Sequence, residues 1–223
     1  ILEYSDVAVT STWWQKSVHP TAYQAKLEVI HEGVDTQAAS PDAEATFDLP
    51  GGQVLHAGQR IVTYVARKLE PYRGFPQFLQ ALAILQAVDP DVQALVIGAD
   101  GVSYGSPPPG GGNWREKLVA EIPLDMARTH FLGAVPYQRY LRALQVSAAH
   151  VYLTYPFVLS WSMLEAMSCG CLVLGSRTAP VQEVLQDGHN GLLVDFFDTA
   201  ALADRLGQVL SDPSAYASIR AAA

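Results

Sequence analysis

Arg67, Lys68 and Arg73 fall in one short stretch, ARKLEPYRGF, directly after the apolar run Ile61 to Val65. Cations at the carboxyl end of a strand, with Gly74 allowing close backbone approach, suit a diphosphate; a solvated basic loop paired with Glu70 is the competing reading. A second stretch, HVYLTYPFVLSWSMLEAMSCG at 150–170, reads as strand, tight loop and helix. An apolar run from His150 to Leu153 meets a break at Tyr155-Pro156, and helical spacing begins near Ser160 with Leu164 and Met167 on one face. A helix starting at the carboxyl edge of a parallel sheet turns free N–H groups and its positive dipole end outward, which makes an anion site. Glu165, in the first turns, can accept hydrogen bonds from ligand hydroxyls. It also stands at S-x-x-E spacing from Ser162, so it can instead fold back onto the Ser162 N–H as a capping box.

Regular alternation from Arg60 onward supplies the elements that must position these groups. Strands are expected at Ile61 to Val65, Ala94 to Gly98, His130 to Leu132, Val151 to Leu153, Leu172 to Gly175 and Gly191 to Val194. Amphipathic helices are expected at Phe75 to Val88, Trp114 to Glu121, Tyr137 to Val146, Ser162 to Ser168, Ala179 to Gln186 and Thr199 to Leu210. This alternation predicts an α/β, Rossmann-like parallel sheet with helices on both faces, over residues 60–223. Before it, Asp6 to Thr10 and Leu27 to Ile30 read as two short strands with a turn or short helix at Trp13-Trp14-Gln15, too little for a core. Residues 1–36 are therefore expected to be the trailing part of another unit. Residues 37–59, with Pro41, Pro50 and Gly51-Gly52, read as a connecting loop. The Gly- and Pro-rich stretch DGVSYGSPPPGGGN at 100–113 reads as a mobile surface insertion, with a lid over the sheet edge as the other option.

Composition bounds the function. Apolar residues at 49% and charged residues at 16% describe a well-buried globular chain, and no apolar run approaches the roughly 18 residues that span a bilayer. A net charge of −8 disfavours a nucleic-acid surface, so any phosphate site must be local. Cys169 and Cys171 lack the second pair that a zinc site needs and read as buried residues of a reducing compartment. The six histidines show neither H-x3-H nor HExxH spacing, so no metal is expected. Glu183 and Asp187 are expected to cap or to face solvent. There is no GxGxxG turn and no Walker sequence. Ile1 in place of Met, and the Ala221-Ala222-Ala223 end, suggest a piece of a longer protein.

In chain order, IHEGVD at 30–35, RKLEPYRGF at 67–75, HFLG at 130–133, SMLEAMSCG at 162–170 and HNGLLV at 189–194 resemble blocks in the carboxyl-terminal half of a family 4 (group 1) glycosyltransferase of the GT-B fold. Five blocks in order over most of the chain are specific, though each alone is weak. The resemblance implies a retaining transfer from a nucleotide-diphosphate sugar to an acceptor hydroxyl, without metal or cofactor. Arg67 and Arg73 would clamp the diphosphate and stabilise the departing nucleotide. Glu165 would bind the ribose, and Glu183 lies in a segment that the family places near the donor site. Backbone N–H groups across Leu159, Ser160, Trp161, Ser162 and Met163 would face the diphosphate and sugar, and the segment Phe131 to Gly133 would receive the base. The acceptor, whether glycan, lipid or small molecule, would be held by an amino-terminal domain of which residues 1–36 are the trailing fragment. The chain by itself would bind donor weakly and turn over poorly or not at all. The implied location is the cytoplasm, with a peripheral place at the inner membrane open for the longer protein.

One departure matters. With seven residues between it and Glu165, Phe157 stands where the family's first Glu touches the transferred sugar, and a phenyl ring cannot accept a hydroxyl proton. Glu32 in HEGVD replaces the usual Asn, a mild change in a linker. A sugar-nucleotide epimerase of similar build and a non-catalytic nucleotide-sugar-binding scaffold remain open; a dinucleotide oxidoreductase is the remotest, since its glycine fingerprint is missing.

Overall fold

The computed structural model describes residues 2–223; Ile1, where the expected amino-terminal fragment begins, lies outside the described residues. The chain opens with a 3-10 turn at Leu2–Tyr4, followed by β1 (Ala8–Thr10), α1 (Trp13–Val18), α2 (Thr21–Gln24) and β2 (Leu27–Val29), with β1 and β2 paired in parallel. Thr12 caps α1 by accepting from the Gln15 N–H. The Glu183 carboxylate, far along the chain, accepts from the Trp13 N–H at 2.7 Å and from the Trp14 N–H, so it caps the same helix and ties this segment to the main sheet.

The stretch expected to be a connecting loop is instead partly ordered as an antiparallel hairpin, β3 (Thr46–Asp48) and β4 (Val54–His56). Its inward residues Phe47 and Leu55 are buried with Leu49 and Ala39 in the core. Single apolar residues between Pro and Gly gave no periodicity long enough to read, and burial against the main body supplies what these short strands cannot supply alone.

The main body is β5 (Ile61–Lys68), α3 (Phe75–Val88), β6 (Gln93–Ala99), α4 (Trp114–Glu121), β7 (Thr129–Gly133), α5 (Tyr137–Gln145), β8 (Ala149–Tyr152), α6 (Trp161–Ser168), β9 (Leu172–Ser176), α7 (Ala179–Gln182), β10 (Leu192–Val194), α8 (Thr199–Ser211) and α9 (Ala217–Ala221). The six strands β5 to β10 form one parallel sheet in the order β10-β9-β8-β5-β6-β7. Successive residues alternate between two cores. Val62, Tyr64, Ala94, Val96, Leu172 and Leu174 face α3 and α8, while Ile61, Leu95, Ile97 and Val173 face α5 and α6. The expected doubly covered sheet is thus what the chain builds. Expected α7 stops at Gln182, because Asn190 accepts from the Gln186 N–H and donates to Val184 O, which replaces a helical continuation with a turn. Among the described residues no helix is long and apolar enough to cross a membrane.

The strand order reverses between β5 and β8. Chain growth runs outward from β5 through β6 and β7, then returns to β8 and runs the other way. Loops leaving two such neighbours diverge to opposite faces and leave a crevice between them, where ligands of open α/β sheets bind.

Candidate functional site

Two loops flank that crevice, and close packing and hydrogen bonds lock them to each other and to β5. Gly74 ends the 3-10 turn Pro71–Arg73 with φ of 69° and starts α3. A Cβ there would stand 2.4 Å from Leu153 Cβ, so the loop after β5 presses directly on the end of β8. Tyr155 N–H donates to Tyr72 O at 3.1 Å, and Tyr64 Oη donates to Arg73 O at 2.9 Å. Arg73 Nη1 donates to Thr154 Oγ1 at 2.9 Å and to Val158 O at 3.2 Å, crossing from one loop to the other.

The crevice holds a cavity of about 400 Å³. Arg67, Arg73, Phe157, Leu159, Ser160 and Trp161, each picked out from the sequence, line it together. β5 runs on through Lys68, so Arg67 sits on a strand extension beyond the expected strand end and not in a loop. It is exposed and makes no hydrogen bond or ion pair among the described residues. Lys68 instead spends its ammonium on Asp100 O at 2.9 Å. Arg67 thus faces the cavity with its charge uncommitted, while Arg73 is half-anchored by protein oxygens.

The helix start behaves as a donor site in part. Ser160, not Ser162, caps α6, its Oγ accepting from the Ser162 N–H at 3.4 Å. The Met163 N–H turns inward to Ser160 O, and Ser162 and Met163 are buried behind the cavity wall. Leu159 contributes backbone only, since its side chain is packed in the core. The Trp161 N–H has no protein acceptor among the described residues, and its indole is largely exposed at the rim. Ser160 N–H donates to Tyr152 Oη at 2.7 Å, which orients the phenol at the cavity floor.

Glu165 does not form a capping box. Its Oε1 accepts from Tyr137 Oη at 2.8 Å and its Oε2 from Tyr140 Oη at 2.6 Å, and the carboxylate is buried. Desolvation, reinforced by the Glu165 hydrogen bond, pushes the Tyr137 phenol up to about 12 and the Tyr140 phenol higher still. Both therefore remain donors at any physiological pH. A carboxylate offers about four lone-pair directions, so acceptor capacity remains. Glu165, the two tyrosines, Trp161 and Glu32 line a hollow of about 410 Å³, and Glu32 and Trp161 belong also to the arginine cavity, which makes the two adjoin.

Phe131 and Gly133 lie apart from this group. They line a separate hollow of about 300 Å³ with Arg115, whose guanidinium covers the Phe131 ring and pairs with Asp100. A hollow of about 360 Å³ between Arg67, Ile97, Val135 and Tyr137 lies closer to the arginines.

Sequence reasoning missed four contributors. Tyr137 and Tyr140 share a helix face at i, i+3, a spacing that could have paired them with an acid. Tyr104, from the Gly- and Pro-rich stretch, lines the cavity, so that stretch is a wall and not a detached insertion. Glu32 lines it too, its carboxyl held below the usual range mainly by a backbone hydrogen bond.

Known proteins share this architecture. The sequence pattern of the family "Glycosyl transferases group 1" matches residues 51–223, and that of "Glycosyl transferase family 4 group" matches residues 1–39. The D-inositol 3-phosphate glycosyltransferase of Mycolicibacterium vanbaalenii is 30% identical over 85% of this chain and 42% of its own length. A GDP-mannose-dependent alpha-(1-6)-phosphatidylinositol monomannoside mannosyltransferase of Mycolicibacterium smegmatis is 26% identical over 94% of this chain and 54% of its own. The crystal structure of Anabaena HepE in complex with UDP and glucose superimposes with a TM-score of 0.74 at 16% identity, over 99% of this chain and 57% of that one. The chain spans about half the length of the curated relatives it matches. With the family pattern running through every strand and helix of the main sheet, the chain belongs to the glycosyl transferases of group 1.

Proposed function

We propose that this chain is the donor-binding half of a retaining glycosyltransferase, holding a nucleotide-diphosphate sugar for transfer to an acceptor hydroxyl. One observation carries the reading: Arg67, Arg73 and the opening of α6 meet in a single cavity at the point where strand order reverses. The diphosphate would lie against the two guanidiniums and the Trp161 N–H, and the ribose hydroxyls would reach Glu165 in the adjoining hollow. As the sugar leaves, charge grows on the terminal phosphate. The Arg73 guanidinium held by protein oxygens, the unpartnered Arg67 cation and the helix end would stabilise that charge, the usual dominant contribution to such transfers. The acceptor would be held by the remainder of a longer protein, and the names of the mycobacterial relatives support a phosphorylated inositol or an inositol lipid as its class.

Calorimetric titration of UDP, GDP and ADP against the chain, repeated with Arg67→Ala and Arg73→Ala, tests the reading. Loss of a charge-assisted hydrogen bond costs about 1.5–3 kcal/mol, so affinity for the preferred nucleotide should drop roughly tenfold or more. Equal affinity in wild type and both variants would remove the site.

A further inference from the structure

Beyond the arginines, the cavity has an aromatic end. The Tyr104 and Phe157 rings meet at 4.7 Å between centroids with a 55° tilt, and the Arg73 guanidinium lies 5.8 Å from the first ring and 5.2 Å from the second. Both rings line the cavity. Tyr104 does not reach this place by chance of a loose loop. The buried Glu70 carboxylate accepts from three consecutive backbone N–H groups, Ser103 at 3.1 Å, Tyr104 at 3.3 Å and Gly105 at 2.9 Å. A Cβ on Gly105 would crowd Glu70 Oε2 and the Tyr72 ring at 3.2 Å, so the loop backbone approaches as closely as glycine permits. The carboxylate thus fixes the otherwise unpatterned stretch by its backbone and leaves the Tyr104 ring over the cavity.

We propose that Tyr104 and Phe157, seated against Arg73, form the wall that recognises the sugar of the donor, with Glu70 as the residue that positions Tyr104. This rests on the donor-binding reading above and extends it. A pyranose ring presents C–H groups of slight positive charge on its faces, which suit the negative face of an aromatic ring and gain from removing apolar surface from water. Such a wall selects for a pyranose without needing hydroxyls to donate to an acid at position 157. Glu32, the other carboxylate on this cavity, accepts a backbone hydrogen bond and lies beside Trp161; its remaining acceptor directions make it the alternative sugar partner.

The test compares nucleotide and nucleotide-sugar affinity, using UDP against UDP-glucose and GDP against GDP-mannose, for the wild-type chain and for Tyr104→Ala, Tyr104→Phe, Phe157→Ala, Glu70→Gln and Glu32→Gln. The sugar should strengthen wild-type binding, and that gain should shrink about threefold to tenfold in Tyr104→Ala and Phe157→Ala while nucleotide affinity stays within about twofold. Tyr104→Phe should keep the gain. Glu70→Gln places an amide donor against N–H donors, so it should lose the gain with the nucleotide affinity kept, a split that mere loss of stability would not produce. An unchanged gain in both aromatic variants, or its loss in Glu32→Gln alone, overturns the aromatic wall while leaving nucleotide binding intact. Failure of the wild-type chain to bind any nucleotide overturns the donor site and the wall together.

Discussion

Tyr140 donates its phenol to Glu165 Oε2 at 2.6 Å, linking α5 to α6 beneath the site. With Tyr137 on Oε1, this bond satisfies a carboxylate that would otherwise be stranded in a buried position. Glu165 is therefore both a strut between two helices and, on the proposed function, the ribose acceptor. Glu165→Gln would turn one oxygen into a donor facing a phenol that also donates, and should cost about 1–3 kcal/mol of stability. Tyr140→Phe removes one bond without adding a mismatched donor and should cost about 1 kcal/mol. Urea unfolding of both variants checks this order. A Gln variant as stable as wild type would show that the strut carries no energy.

Arg67 and Arg73 should separate by their surroundings. Arg73 bonds protein oxygens on the loop after β8, so Arg73→Ala should loosen that loop and lower the melting temperature as well as nucleotide affinity. Arg67 has no protein partner among the described residues, so Arg67→Ala should alter stability by less than about 0.5 kcal/mol while still weakening nucleotide binding. Thermal melts beside the calorimetric titrations read both effects; a large loss of stability in Arg67→Ala would contradict the free guanidinium.

Gly74→Ala should be among the most damaging single changes. The position needs φ of 69°, and its new methyl would lie 2.4 Å from Leu153 Cβ, which the packed end of β8 cannot vacate. Strain and overpacking together should cost about 2–4 kcal/mol. Expression with normal stability would mean that the two loops can part easily, and the crevice would then not be rigid.

His150 gives the fold an acid-sensitive point away from the site. Its ring is fully buried in β8, Nδ1 meets Thr63 Oγ1 at 2.9 Å, and burial holds its pKa down to about 3. The unfolded chain takes up a proton near pH 6.5, whereas the folded chain does so only near 3. The stability from keeping the ring neutral is thus complete above 6.5 and is lost as pH falls toward 3. Linkage puts the loss between pH 7 and pH 5 at about 2 kcal/mol. His150→Leu should flatten that part of the stability profile, measured by denaturant unfolding at each pH; an unaltered slope would assign the acid sensitivity elsewhere.

The sequence by itself determined the layers. Apolar runs of strand length alternating with amphipathic stretches admit few arrangements besides a parallel sheet covered on both sides, and α3 and α4 end where their periodicity ends. It also determined that Arg67, Arg73 and the start of α6 stand at carboxyl ends of strands. What only the tertiary structure decided is which strands are neighbours, since β5 and β8 pair across a long separation with no local mark of it. Partners of buried polar groups were hidden for the same reason. Tyr140 finds Glu165, and Glu70 finds residues 103–105, through helix packing and loop approach that leave no periodic trace in the chain. Local spacing reports which way a side chain faces; what it meets there depends on how distant segments close over it.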